Sequence, residues 1–149
     1  MIVYRIAAAQ YANKLFASGK PNRWNLAGDY VLYAATTRSL ATLELVVHRA
    51  GIRMQEDFKM MVIRIADGAK KKTVLHTQLA TDWHTMRGQQ ETQLIGHRWV
   101  ERRKKVVMRV PSVVIPQEWN VVINTEHKEF KDQVKLIDLE PFAFDRRLR

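Results

Sequence analysis

Three short segments of this 149-residue chain hold polar side chains in settings that call for chemistry. Glu44 stands in Ser39-Leu40-Ala41-Thr42-Leu43-Glu44-Leu45-Val46-Val47-His48, a carboxylate among apolar residues at helical spacing. Such a carboxylate is partly buried, and a buried carboxylate needs a partner or a function. His48 follows four residues later, so both side chains leave nearly the same helix face. A structural Glu–His pair and a working carboxylate both satisfy that spacing. Arg23 lies in Asn22-Arg23-Trp24-Asn25-Leu26-Ala27-Gly28. There an arginine can offer a planar fork to a phosphate with an aromatic wall nearby; a surface arginine beside a core tryptophan accounts for the same pattern. Ser112 sits in Arg109-Val110-Pro111-Ser112-Val113-Val114-Ile115-Pro116, an apolar segment bracketed by prolines. A serine there most often satisfies a neighbouring backbone group. No G-x-S-x-G elbow surrounds it, so a hydrolase-type serine nucleophile has little support. The five histidines, His48, His76, His84, His97 and His127, form no H-E-x-x-H or other close ligand pair, and no metal is assigned.

The elements that must position these residues can be read from periodicity. Ile2 to Ile6 is a short apolar strand, and Ser18-Gly19-Lys20-Pro21-Asn22 is a breaker cluster that reads as a loop. Tyr30 to Ala34 is β-branched and aromatic and reads as a strand. Thr36 or Thr37 can cap a helix running to about Arg49, with Gly51 as its stop and Leu40, Leu43 and Val47 as its core-facing stripe. Lys59 to Ile65 is the next strand. Gln89 to Glu101 has weak helical character, interrupted by Gly96. Val106 to Ile115 holds two apolar runs broken by Pro111-Ser112, and Asn120–Ile123 and Gln133–Leu139 are further strands. Many short strands with one or two clear helices predict a single compact α+β domain over 1–149, with antiparallel or mixed sheets. No G-x-G-x-x-G turn or P-loop is present, so any dinucleotide site is not of the Rossmann type.

Composition narrows the function classes. Hydrophobic residues make up 46% and charged residues 27%, as in soluble globular domains. No apolar run approaches the roughly 18 residues of a membrane helix, and Met1-Ile2-Val3-Tyr4-Arg5 has no secretory character. Zero cysteines exclude disulfides and thiolate chemistry and suit a cytoplasmic protein. The net charge of +10 creates a field that attracts phosphates, acidic protein or nucleic acid. Its basic clusters are Lys70-Lys71-Lys72, Arg98 with Arg102-Arg103-Lys104-Lys105, and Arg146-Arg147 with Arg149. The lysine triplet reads as a solubilising turn between apolar segments.

In order along the chain, R-W-N at Arg23, Gly28, V-x-Y-x-A around Tyr33, S-L-A-x-L-E-x-x-V-H around Glu44, I-G-x-x-W at Gly96, R-V-P-S-x-V-x-P around Ser112, N-x-x-x-N-x-x-H from Asn120 through Asn124 to His127, and F-x-F-D-x-R-L to Leu148 resemble the RES domain. The arginine, glutamate and serine of that name match Arg23, Glu44 and Ser112. The resemblance spans nearly the whole chain, with Asn22 in place of a frequent glycine and Thr125 in place of a frequent proline. It implies an ADP-ribosyltransferase-like mixed core around a cleft for NAD⁺. It also implies a toxin that depletes NAD⁺ by hydrolysis or phosphorolysis, held in check by an Xre-like, DNA-binding antitoxin in a homodimer or larger toxin–antitoxin assembly.

The residues suit that chemistry. Nicotinamide leaves NAD⁺ as a neutral base, so the difficult charge is the one developing on the ribose, which a carboxylate stabilises. Under the resemblance Glu44 takes that role, Arg23 holds the pyrophosphate or an incoming phosphate, Tyr33 offers a face to nicotinamide, and Ser112 bonds the ribose or holds Glu44. Trp24, Asn25, Asn124 and His48 form a second tier of substrate-binding candidates. NAD⁺ is then substrate, inorganic phosphate a possible co-substrate, and no cofactor or metal is required. Transfer of ADP-ribose to a macromolecule uses the same cleft. A basic nucleic-acid-acting toxin is the competing class, but no RNP-like strand, helix-turn-helix or zinc finger is present, so nucleic acid is expected to be reached only through the antitoxin.

Overall fold

A computed structural model describes residues 1–48 and 57–148. The chain runs β1 (Ile2–Ala8), β2 (Val31–Ala35), α1 (Arg38–His48), β3 (Phe58–Ile65), β4 (Lys71–Thr73), α2 (Gln89–Arg102), β5 (Val107–Pro111), β6 (Trp119–Asn124), α3 (Phe130–Gln133) and β7 (Val134–Phe142). The strands form one seven-stranded sheet ordered β4-β5-β6-β2-β1-β3-β7, parallel only between β4 and β5. This is the mixed α+β architecture expected from the alternation of short strands.

Strand periodicity sends alternate residues to opposite faces, and both faces are covered. On one face Leu32, Met61, Ile63, Val121 and Ile123 form the larger core. On the other, Val31, Met108, Val110 and Val122 pack with Trp24, Trp83 and Trp99. Each such side chain contributes about 1.5–3 kcal/mol by leaving water, so the sheet is anchored from both sides.

α1 starts where Thr37 Oγ1 accepts the Leu40 backbone N–H at 3.1 Å, a cap that contributes about 1 kcal/mol. The Thr36 hydroxyl instead donates to the Trp119 carbonyl, 3.0 Å away. Leu40 and Ala41 pack this helix on Ala35 and Met60. The expected stripe fails at Val47, which is 56% exposed: only the first turns of α1 lie over the core, and the last turn stands at the rim of a cleft. The expected stop at Gly51 lies outside the described residues.

Two further expectations are corrected. Gly96 does not interrupt α2, which is continuous through it. Its missing Cβ makes room for the Trp24 carbonyl, which a methyl group would approach to 1.6 Å. The lysine triplet is not a turn either: Lys71 and Lys72 form edge strand β4, paired with Val107 and Met108. Lysines suit a sheet edge because their charge discourages further strand pairing. At the other edge, the ladder of β3 and β7 shifts register between Val62 and Ile63, leaving Ile137 as an extra residue; such a bulge also blunts an edge.

One joint is weak by construction. β1 pairs along its length with β3, and β2 along its length with β6, but β1 and β2 meet only at Tyr4 and Ala35. Beyond that bridge the two strands diverge, and the sheet opens.

Candidate active site

The opening between β1 and β2 is the floor of a cleft of about 1220 Å³, walled by α1, residues 10–24 and the segment after β5. Its size exceeds the usual few hundred to one thousand Å³ of small-ligand pockets, and so accommodates a dinucleotide. Its charged lining residues are Arg5, Lys14, Lys20 and Arg23 against the single carboxylate of Glu44. Cations in excess, gathered in a concave low-dielectric wall, focus a positive field on the cavity.

Glu44 reaches this cleft from α1. Its Oε1 accepts hydrogen bonds from the Ser112 hydroxyl at 2.8 Å and from Asn120 Nδ2 at 2.6 Å. His48 Nε2 stands 3.6 Å from Oε2. Burial alone would raise the carboxyl pKa, but the hydrogen bonds from His48, Asn120 and Ser112 outweigh it, so Glu44 lies below its ordinary value and is anionic at neutral pH. The Glu44 side chain is 20% exposed and lines the cleft.

Ser112 is fully buried. Its hydroxyl donates to Glu44 and accepts from the backbone N–H groups of Val114 and Ile115, at 3.0 and 3.1 Å. Its proton and lone pairs are thus committed, and it orients Glu44 without facing the cavity.

Arg23 enters from the opposite wall. Its Nη1 donates to the carbonyls of Trp83 and Thr85, at 2.9 and 3.2 Å, while Nε and Nη2 have no partner among the described residues. Burial lowers its pKa, and Tyr33 and Glu44 act against that shift. The segment carrying it is clamped to α2. Thr92 Oγ1 donates to the Arg23 carbonyl at 2.6 Å, Gln93 Nε2 to the Asn22 carbonyl at 3.0 Å, and the Trp24 carbonyl rests on Gly96. Asp29, after the segment, is bonded to His97 Nδ1 at 2.9 Å. Residues 92, 93, 96 and 97 share one helical face, so α2 is a rail for the arginine segment.

Tyr33, on β2, lines the cleft with its ring, and burial pushes its phenol far above the ordinary range. Its hydroxyl donates to Asn25 Oδ1 at 2.6 Å and accepts the Trp24 N–H at 3.0 Å. It pins the arginine segment from below.

The second-tier residues divide. His48 stands at the rim, with its side chain 61% exposed. Trp24 packs its indole in the core, 6.1 Å from the Trp83 ring centroid. Asn25 is buried and spends its amide on the carbonyls of Lys20, Leu26 and Asp29. Asn124 is apart from the others: at the far end of β6, about 13 Å from Asn120 along the strand, its Oδ1 accepts the Glu126 N–H at 3.0 Å and shapes a turn.

Two residues escaped sequence reasoning. Asn120 was the first asparagine of the N-x-x-x-N pattern, with no local sign of which one meets Glu44. Arg5 lies inside a strand and lines the cleft. Its Nη1 donates to the Tyr33 carbonyl at 2.9 Å, where the diverging strands leave that carbonyl without a ladder partner. Burial depresses its pKa, and no carboxylate among the described residues pairs with it. An arginine in the middle of an apolar strand was the available signal. Among the described residues no group of His, Asp and Glu is arranged to hold a metal, and no helix is long and apolar enough to cross a membrane.

A family model described as the RES domain matches residues 2–145. The chain is similar to a protein named Toxin Res from Yersinia enterocolitica, 31% identical over the full length of both chains. A Prs ADP-ribosylating toxin from Sphingobium sp. is 28% identical over 85% of this chain and 79% of its own. Among solved structures, a chain of the M. tuberculosis MbcT–MbcA toxin–antitoxin complex superposes with a TM-score of 0.78 at 17% identity, covering 95% of this chain and 84% of that one.

Proposed function

The chain belongs to the RES-domain family, and from that premise we propose that it is the toxin of a toxin–antitoxin pair that cleaves the nicotinamide–ribose bond of NAD⁺. The observation that carries this reading is one anionic carboxylate, Glu44, fixed by Ser112 and Asn120 in a cleft whose other charged lining residues are the cations Arg5, Lys14, Lys20 and Arg23. The C1′–N bond breaks with its electron pair going to the nicotinamide ring, which leaves neutral and needs no general acid. Positive charge grows on the ribose, and Glu44 stabilises it from a fixed position that needs no reorganisation. An oxygen of the acceptor then bonds to C1′ and sheds a proton. Arg5 and the free edge of Arg23 bind phosphate groups, and the Tyr33 ring offers a face to nicotinamide. Ser112 and Asn120 act through Glu44.

The acceptor is water or inorganic phosphate. A macromolecular acceptor is the second reading, favoured by the relative named as an ADP-ribosylating toxin. The partner is an antitoxin of the Xre-like kind, which supplies the DNA-binding element and covers the cleft in a homodimer or larger assembly inside the cytoplasm. One experiment tests the activity and its acceptor: purified chain is incubated with NAD⁺ labelled in its ADP-ribose part, with and without phosphate, and products are separated. Free ADP-ribose marks hydrolysis, ADP-ribose 1″-phosphate marks phosphorolysis, and label retained on protein marks transfer. Glu44→Gln keeps the shape and both donated hydrogen bonds to the side-chain oxygen, and we expect NAD⁺ loss to fall at least a hundredfold, of the order seen when one electrostatic stabiliser is removed. Full activity in Glu44→Gln would remove Glu44 from the mechanism.

A further inference from the structure

The positive charge is concentrated away from the cleft. Eight of the 25 lysines and arginines lie in Lys70–Lys72, Arg98 and Arg102–Lys105, so the other seventeen nearly balance the fifteen acids. The fold joins these runs: α2 carries Arg98 and Arg102 one turn apart on one face, Lys105 follows the helix, and β4 brings Lys71 and Lys72 alongside β5. None of the eight makes an ion pair among the described residues, and the neighbouring Glu101 is turned to His97 at 3.3 Å. Burial first, then Arg102, Lys105 and Arg98, lower the Lys72 pKa, so three other cations lie within electrostatic reach of Lys72. Like charges at i and i+4 oppose helix formation. Arg103 adds a second local cost, because it occupies the left-handed region at φ 49° where glycine is the unstrained choice. A cationic side chain is kept there against backbone preference.

We infer that this face, built by β4 and the C-terminal end of α2, docks on the phosphate backbone of duplex nucleic acid. Leu94 is the one exposed large apolar side chain on its α2 stripe, and no exposed aromatic ring lies in the two runs. Protein interfaces are built around an apolar core with aromatic anchors, and single-strand binders stack bases on aromatic side chains. A cation-dense surface lacking both matches the polar, strongly positive surfaces that track a duplex backbone. No base-reading module is implied, in keeping with the absence of such motifs, and the contact adds to whatever an antitoxin partner reads. The face is separate from the cleft: α2 runs from Gln89, which lines the cleft, to Arg102, about 20 Å away along the helix.

The test is fluorescence anisotropy of the purified full chain with a labelled DNA duplex of random sequence, as a function of salt. Four phosphate contacts give a slope of log K against log salt of about −3.6, so raising salt from 50 to 200 mM weakens binding roughly 150-fold. In Lys72→Gln/Arg98→Gln/Arg102→Gln/Lys105→Gln the slope should collapse toward zero. The pairs Arg98→Gln/Arg102→Gln and Lys72→Gln/Lys105→Gln should each remove about half of it, which guards against a quadruple variant that fails to fold. NAD⁺ loss should be unchanged in all three, so failure here is distinguishable from failure of the proposed activity. A control set with equal charge loss elsewhere, Arg64→Gln/Lys131→Gln/Lys135→Gln/Arg146→Gln, should retain the slope. The inference is overturned by wild-type chain that does not bind duplex at 50 mM salt, or by equal losses in the control set. Tenfold tighter binding to single-stranded RNA, or patch-dependent binding of polyglutamate without binding of duplex, would also overturn it.

Discussion

Asn120 offers the most informative perturbation of the site, because its amide touches Glu44 and nothing else among the described residues. Asn120 Nδ2 donates to Glu44 Oε1 at 2.6 Å; Asn120→Ala removes that bond and leaves the Ser112 bond at 2.8 Å. A hydrogen bond to a charged group contributes about 1.5–3 kcal/mol, and one pKa unit corresponds to about 1.4 kcal/mol. The Glu44 pKa should therefore rise in the variant, because one of the hydrogen bonds that lower it is gone. The native carboxyl lies below its ordinary value, so its contribution to stability is present above the unfolded value and is lost as pH falls through the folded one. In Asn120→Ala the folded value moves toward the unchanged unfolded one, so that contribution shrinks, and the acid limb of the proposed NAD⁺ cleavage moves to higher pH. Two measurements check this: kcat against pH from 3.5 to 8, and urea unfolding at pH 7 and pH 4. The variant should retain much of its activity at pH 8 and lose it earlier on acidification, with a smaller stability gap between the two pH values. An acid limb that stays where it was, with activity lowered equally at all pH, would refute the argument that Asn120 works by holding Glu44 ionised. Ser112→Ala is a poorer probe, because it also deprives the Val114 and Ile115 N–H groups of their acceptor.

Gly96→Ala places a methyl group 1.6 Å from the Trp24 carbonyl, so the arginine segment must move; we expect a loss of about 1–3 kcal/mol in chemical unfolding and a tenfold or greater rise in KM for NAD⁺, with a nearly wild-type KM counting against the rail. Arg5→Met removes a part-buried cation that has no carboxylate partner among the described residues, but it also takes the hydrogen bond from the Tyr33 carbonyl, so stability of the free chain should change by no more than about 1–3 kcal/mol while KM rises at least tenfold, as expected when a cation awaits an anionic ligand; an unchanged KM would deny Arg5 a binding role. His97 is held above its ordinary value chiefly by its hydrogen bond to Asp29, so this link stabilises fully below the unfolded value near 6.5 and is lost as pH rises through the folded one. Unfolding curves for His97→Gln should differ from wild type at pH 5.5 and converge at alkaline pH, and a constant difference across that range would rule the link out.

Much of the fold was legible because strand and helix patterns are local. The runs Tyr30–Ala34, Lys59–Ile65 and Gln133–Leu139 each fall within or beside an observed strand, since β-branched and aromatic runs bounded by turn residues have few alternatives. Edge strand β4 was missed because it is three residues of lysine and threonine, with no apolar alternation to mark it. Gly96 was misread because its role is set by a backbone crossing some seventy positions away in sequence, and propensity sees only its cost to a helix. Val47 had the right spacing for the core but lies past the point where α1 leaves the sheet.

The site shows the same division between local and non-local information. Glu44, Arg23 and Ser112 were marked by type and setting and Tyr33 by the family resemblance, which also carried most of the weight for Ser112, and the fold gathers them around one opening, yet it gives them unequal exposure. Ser112 and the Tyr33 hydroxyl are spent on internal bonds, whereas the Glu44 side chain stays partly open to the cleft and one edge of Arg23 has no partner among the described residues. Those bonds belong to two separate supports. Glu44 is held from the ends of β5 and β6, through Ser112 and Asn120, while the Arg23 segment is held from α2 and β2, through Thr92, Gly96 and Tyr33. The two supports meet across the place where β1 and β2 stop pairing, and Arg5 occupies the resulting gap. A continuous sheet would have satisfied the Tyr33 carbonyl with a strand N–H and left no room for a ligand. Replacing that ladder bond with an arginine keeps the carbonyl paired, opens the sheet, and leaves a part-buried cation facing a cavity. The pairing missing at this joint and the proposed anion site thus have one structural origin, and Arg5→Met tests that link.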